Sequence, residues 1–357
     1  MIKIKYIKYF VSILILLSIT SCYDKFDITQ FDTDDPGNIE GDTIYIKLNP
    51  DWEGFNHPED IIIGREPLIY VADTDNDQIV MLNLDGQRLS SRSIKHPVAI
   101  AEDYKLNLIV CAQFDTLGQT FSAVYKIDLV ASNHDLATAP IRRLLPQPND
   151  LNQPLRKYTG ACAFYDNSFY ISRTGPNNSS IYDPDNSILL FQPLGSNFSD
   201  GDSLIGRVPN IPPTSSGMVS ANQISSLSSF NKRNIDIVVT MTGTNSFKAQ
   251  WWNYVVTPID ERYRSAFSPN DGVAFAKPNN FVRPEGCTID VNENIFVADA
   301  GKDSVYKFNS SGDFLIGFGG PSVFSEPYAV AFFDKIVYVA DRGNNRIQRF
   351  ILSTDVQ

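Results

Sequence analysis

The sequence predicts an all-β protein, a closed ring of six four-stranded sheets of the β-propeller type. Three observations carry this reading. A short phrase recurs: Tyr70-Val71-Ala72-Asp73, Phe296-Val297-Ala298-Asp299 and Tyr338-Val339-Ala340-Asp341 each join an apolar strand to a polar turn and a second apolar run. Such a unit cannot bury its own face and must stack on its neighbours. Composition favours strands and turns: 16 Tyr and 23 Phe accompany 21 Gly and 21 Pro, and helical periodicity is missing beyond residue 22. Finally, the alternating run Thr43-Ile44-Tyr45-Ile46-Lys47-Leu48 has no unit of its own, while the last unit runs out of chain after Ile351. Pairing the two closes the ring and protects both sheet edges.

The chain opens with Lys3, Lys5 and Lys8, followed by an apolar run from Phe10 to Leu17 broken only by Ser12. That run is too short to span a bilayer comfortably and reads as the core of a signal peptide. It ends in Ile19-Thr20-Ser21-Cys22, which resembles the lipobox of bacterial lipoproteins. The resemblance implies removal of residues 1–21 and lipidation of the Cys22 thiol. It further implies a lipid anchor in the cell envelope, with delivery to the outer membrane expected. Residues 22–42 are acidic and turn-rich, including Asp32-Thr33-Asp34-Asp35-Pro36-Gly37. They read as a flexible tether reaching roughly 25 Å at about 5–6 Å per root residue.

Residues 43–357 form the propeller. The first unit starts near Pro58 and has a tight-turn signal at Asp85-Gly86. The second starts at Pro97, the third near Tyr158, the fifth at Pro284 and the sixth at Pro327. The fourth is the most degenerate, and its clearest strand is Ile235-Asp236-Ile237-Val238-Val239-Thr240. The proline-led first strands, the Val-Ala-Asp phrases and the turn Asn344-Asn345-Arg346-Ile347 resemble the NHL-repeat family of six-bladed β-propellers. The resemblance covers the first, fifth and sixth units best.

Asp73, Asp299 and Asp341 end strands and enter turns, where a short carboxylate accepts backbone N–H bonds. They read as structural, with Gly301 and Gly343 supplying positive φ in the same turns. Cys111, Cys162 and Cys287 lie far apart in apolar runs and read as buried small hydrophobes.

Formal net charge is -11. With no basic stripe, this argues against nucleic acid as a partner. In propellers, the loops before the first strand and after the second meet near the axis, where ligand sites lie. That analogy points to Glu59, His96, Tyr158, Glu285 and Tyr328 from first-strand starts, and to Gln113, Arg173 and Arg342 from second-strand ends. Trp252, in the cluster Trp251-Trp252-Asn253-Tyr254, is a further candidate as a stacking platform for a sugar or a partner protein. No catalytic residue, metal ligand or cofactor is assigned.

The expected function is an envelope-anchored binding or scaffold module for a glycan, a peptide or an envelope protein. The alternative is a lactonase-like hydrolase or lyase using a divalent ion in the channel. Gluconolactonase-like propellers would place Glu59 or Glu285 on that ion. The zinc lyases among NHL relatives use several histidines, and only His57, His96 and His134 occur here.

Overall fold

A computed structural model describes residues 43–214, 217–271 and 273–356. The signal peptide, Cys22 and the tether lie outside the described residues. Twenty-four strands form six antiparallel sheets of four. The first blade is β2 (Pro58–Ile63), β3 (Ile69–Asp73), β4 (Gln78–Leu82) and β5 (Arg88–Ser93). The second is β6 (Ala99–Glu102), β7 (Asn107–Thr116), β8 (Gln119–Asp128) and β9 (Ile141–Leu145). The third is β10 (Lys157–Ala163), β11 (Phe169–Thr174), β12 (Ser187–Pro193) and β13 (Asp202–Arg207). The fourth is β14 (Ile224–Ser229), β15 (Ile237–Met241), β16 (Ala249–Thr257) and β17 (Asp260–Ser265). The fifth is β18 (Pro284–Ile289), β19 (Ile295–Asp299), β20 (Ser304–Phe308) and β21 (Phe314–Gly319).

The sixth blade closes the ring. Its order is β22 (Pro327–Phe333), β23 (Ile336–Asp341), β24 (Arg346–Leu352) and then β1 (Tyr45–Trp52), the first strand of the described chain. Tyr45 pairs with Leu352 and Trp52 with Ile347. The six inner strands touch in the order β2, β6, β10, β14, β18, β22 and back to β2.

The core is divided into wedges, one between each pair of adjacent blades. Tyr70, Ile79, Ile100 and Leu108 fill the wedge between blades one and two. Trp52, Ile61, Tyr338 and Ile347 fill the one that seals blade six to blade one. A second strand therefore faces apolar neighbours on both sides, which is why all five residues of β3 and of β19 are buried.

The repeated aspartates do hold turns, although most of their partners lie farther away than an Asx-turn places them. Asp73 accepts from Asn56 N, Asp299 from Val282 N and Arg283 N, and Asp341 from Ser325 N. Each buried carboxylate thus clamps the loop leading into its own blade. Positive φ falls not on Gly301 or Gly343 but on Asp77, Asp303 and Asn345. The glycines are needed for close approach: a Cβ on Gly343 would lie 2.4 Å from Ser325 Oγ and 2.7 Å from its carbonyl oxygen. Cys111, Cys162 and Cys287 are free, buried thiols.

Candidate functional site at the mouth of the channel

Five of the six inner strands share one irregularity. Their pairing register slips by one residue near the start of the strand, leaving Glu59, Thr159, Ser225, Glu285 and Tyr328 as bulge residues. In blade two, Val98 holds the same place, one residue past Pro97. A bulge re-aims its extra side chain out of the ladder. All six of these residues line one cavity at the mouth of the channel, of about 710 Å³.

The two halves of this ring differ. On blades three and four, hydroxyls tie each blade to the next. Thr159 Oγ1 donates to Ile224 O at 2.6 Å, and Ser225 Oγ to Pro284 O at 2.7 Å. Val98 completes a half that is neutral and short of free donors.

On blades five, six and one, the ring holds two carboxyls flanking a phenol. Arg342 Nε donates to Glu59 Oε1 at 3.1 Å, and Arg342 Nη1 to Glu326 Oε2 at 3.2 Å. Arg283 Nη2 donates to Glu326 Oε1 at 2.6 Å. Both guanidinium groups lie over Tyr328, at 4.6 Å for Arg342 and 5.7 Å for Arg283. Glu285 has only Arg283 Nε at 3.6 Å, too long for a hydrogen bond. No other described residue donates to it. Burial pushes the Glu285 carboxyl up to about 7, against the pull of Arg283. Burial also raises Glu59, opposed by Arg342. Beside them, Asp75 Oδ2 is 2.6 Å from His57 Nδ1, and its Oδ1 is 3.6 Å from His96 Nδ1.

The outer walls come from longer segments of blades two and three. The β7–β8 hairpin contributes Gln113, Thr120, Phe121 and Ser122, and the approach to β10 contributes Pro154, Leu155, Arg156 and Lys157. The loop after β11 contributes Gly175 and Pro176. Two buried arginines fix that loop. Arg156 Nε donates to Asp185 Oδ1 at 2.8 Å and its Nη2 to Asp183 Oδ2 at 2.6 Å. Arg173 Nη2 donates to Asp183 Oδ1 at 2.5 Å and to Pro184 O at 2.7 Å.

Of the residues expected at the site, Glu59, His96, Gln113, Tyr158, Glu285 and Tyr328 line the cavity. Tyr158 is only 2% exposed, because it sits at the proline position, one residue before the bulge. Arg342 stands behind the wall and braces Glu59. Arg173 is a loop staple, its charge turned onto Asp183 and away from the cavity. Trp252 offers no stacking platform: it is fully buried between blades three and four, and its Nε1 donates to Met218 O at 3.1 Å. Trp251 packs on Phe230 from the other side. The strand carrying the tryptophans is covered by neighbours on both faces.

Among the described residues, no group of three or more His, Cys, Asp or Glu side chains is arranged to hold a metal ion. Glu59 and Glu285 share the cavity with His96 but with no Asp or Asn side chain among the described lining residues.

No known protein family and no curated protein match this chain. Solved structures do. A gluconolactonase from Xanthomonas campestris superposes with a TM-score of 0.57 at 12% identity, covering 87% of this chain and 90% of its own. A luciferin-regenerating enzyme gives 0.56 at 12%, covering 87% and 95%. A protein of unknown function from Bacteroides thetaiotaomicron gives 0.54 at 12%, covering 86% and 73%. At such identities the likeness concerns the fold alone: this chain is a six-bladed β-propeller.

Proposed function

We propose that this chain is a lipid-anchored envelope protein that binds a small polar ligand, such as a peptide or glycan fragment, at the mouth of its propeller channel. The ring of five bulge residues and Val98 around one cavity carries the proposal. Its volume lies within the range of small-ligand sites, and its lining mixes apolar walls with few, localised charges. The rigid ring supplies preorganisation, which lowers the entropy lost on binding.

A thermal-shift screen of peptides and oligosaccharides tests this. A true ligand at a hundred times its Kd stabilises by about 2.7 kcal/mol. Gln113→Trp, which fills the cavity, should abolish the shift without lowering the melting temperature of the free protein. A shift that survives the substitution places the ligand elsewhere.

The second reading is a divalent-metal hydrolase or lyase. The gluconolactonase-like neighbours favour it, while the donor set around Glu59 and Glu285 does not. Stoichiometric calcium or zinc in the purified protein, measured by elemental analysis, would establish it in place of the first.

A further inference from the structure

The cavity is electrically lopsided. On blades five, six and one stand three carboxylates, Glu59, Glu285 and Glu326, against two guanidinium groups, Arg283 and Arg342. Glu285 points into the cavity with acceptor capacity that no described residue fills. The opposite half, centred on blade three, is lined by Val98, Phe121, Leu155 and Ile224. Its hydroxyls are engaged by neighbouring carbonyls. The one lining cation on that side without a carboxylate partner among the described residues is Lys157. Arg156 beside it is neutralised by Asp150, Asp183 and Asp185.

A half-buried carboxyl that no described residue hydrogen-bonds is open to the cavity, and a ligand ammonium would supply both charge and hydrogen bonds. The facing wall calls for apolar groups and an anion. We propose, resting on the cavity reading above, that the ligand is a short peptide with free termini. Its ammonium is seated on Glu285 and Glu59, its apolar side chains on the Phe121 wall, and its carboxylate on Lys157. The charge pattern sets the orientation, because reversing the peptide would face each terminus with its own sign.

The test uses the full-length chain purified in nonionic detergent, titrated calorimetrically with the tripeptide Leu-Ala-Phe. The free peptide should bind, and its N-acetylated form should bind at least ten-fold more weakly. Amidating the C-terminus should weaken binding several-fold. Glu285→Gln should remove the penalty for acetylation, and Lys157→Gln the penalty for amidation. If Glu285→Gln fails to fold, the wild-type pH profile serves instead. Ionisation of a carboxyl with a pKa of about 7 should raise affinity about ten-fold between pH 5.5 and 7. Equal binding of free and acetylated peptide, or affinity falling over that pH range, would overturn the inference. If only neutral oligosaccharides bind, and Gln113→Trp blocks them, this inference falls while the cavity remains the binding site. If nothing binds, both readings fall.

Discussion

Trp52 is the bolt of the ring, and replacing it with alanine tests the closure quantitatively. It ends β1, pairs with Ile347 of the last strand and is 7% exposed. Its ring lies 5.7 Å from Tyr338, with the Arg349 guanidinium 4.7 Å above it. A Cβ on Gly86 of the first blade would come within 2.2 Å of the indole. The side chain thus touches blade six and blade one together. Its Nε1 has no hydrogen-bond partner, so the loss is one of packing. Burial of about 200 Å² at about 25 cal/mol per Å² gives about 5 kcal/mol. Truncations of this kind measure about 3–5 kcal/mol. With an unfolding entropy of about 2.1 cal/mol/K per residue over roughly 300 residues, the melting temperature should fall by about 5–8 °C. Differential scanning calorimetry reads this directly, with the exposed Ile205→Ala as a control expected within about 1 °C. A Trp52→Ala melting temperature within 2 °C of wild type would refute the seam as described.

Two further predictions concern pH and location. Asp60, one residue past the first bulge, accepts from Ile61 N and Ile100 N, yet burial pushes its carboxyl up to about 7. A raised carboxyl favours the protonated folded state. Its stabilisation is complete below the unfolded value near 4 and is lost as pH rises through about 7. Glu285, also near 7, and Glu102, pushed by burial to about 8, act in the same direction. Urea denaturation should therefore show the protein more stable at pH 5 than at pH 8, by a few kcal/mol, with Asp60→Asn flattening the slope. Stability rising with pH across that window would contradict the assignment. Separately, Cys22→Ala should shift the chain from the membrane fraction to the soluble fraction of the envelope. Continued sedimentation with membranes after an alkaline wash would exclude the thioether anchor.

Much of the fold was legible because the repeat writes it openly. Pro58, Pro97, Pro284 and Pro327 mark four inner strands, and the unpaired run at Thr43 announces the closing strand. The middle blades were obscure for tertiary reasons. The inner strand Ile224-Ser225-Ser226-Leu227-Ser228-Ser229 reads locally as a polar loop. Its serines become strand residues because their hydroxyls reach carbonyls of adjacent blades, as Ser228 does to Cys287 and Ser229 to Ala163. The candidate site followed the same pattern. Glu59, Glu285 and Tyr328 stand one place after a strand-leading proline, and that offset is the signal for the whole ring. Applied to the other units it leads from Pro97 to Val98, and, with Tyr158 and Ile224 in the proline place, to Thr159 and Ser225. Arg173 and Trp252 were misplaced because period-two alternation gives the face of a strand but not what covers that face. Two aspartates of the inserted loop cover the first, and a neighbouring blade covers the second.

Hydrogen–deuterium exchange on the ligand-saturated protein tests the central claim most directly. Exchange should slow in the segments around residues 57–60, 96–98, 113–122, 155–160, 223–225, 284–286 and 327–329. Exchange in the loops at residues 64–68 and 103–106, at the other end of the inner strands, should be unchanged. Protection confined to those latter loops, with the bulge residues unaffected, would contradict it.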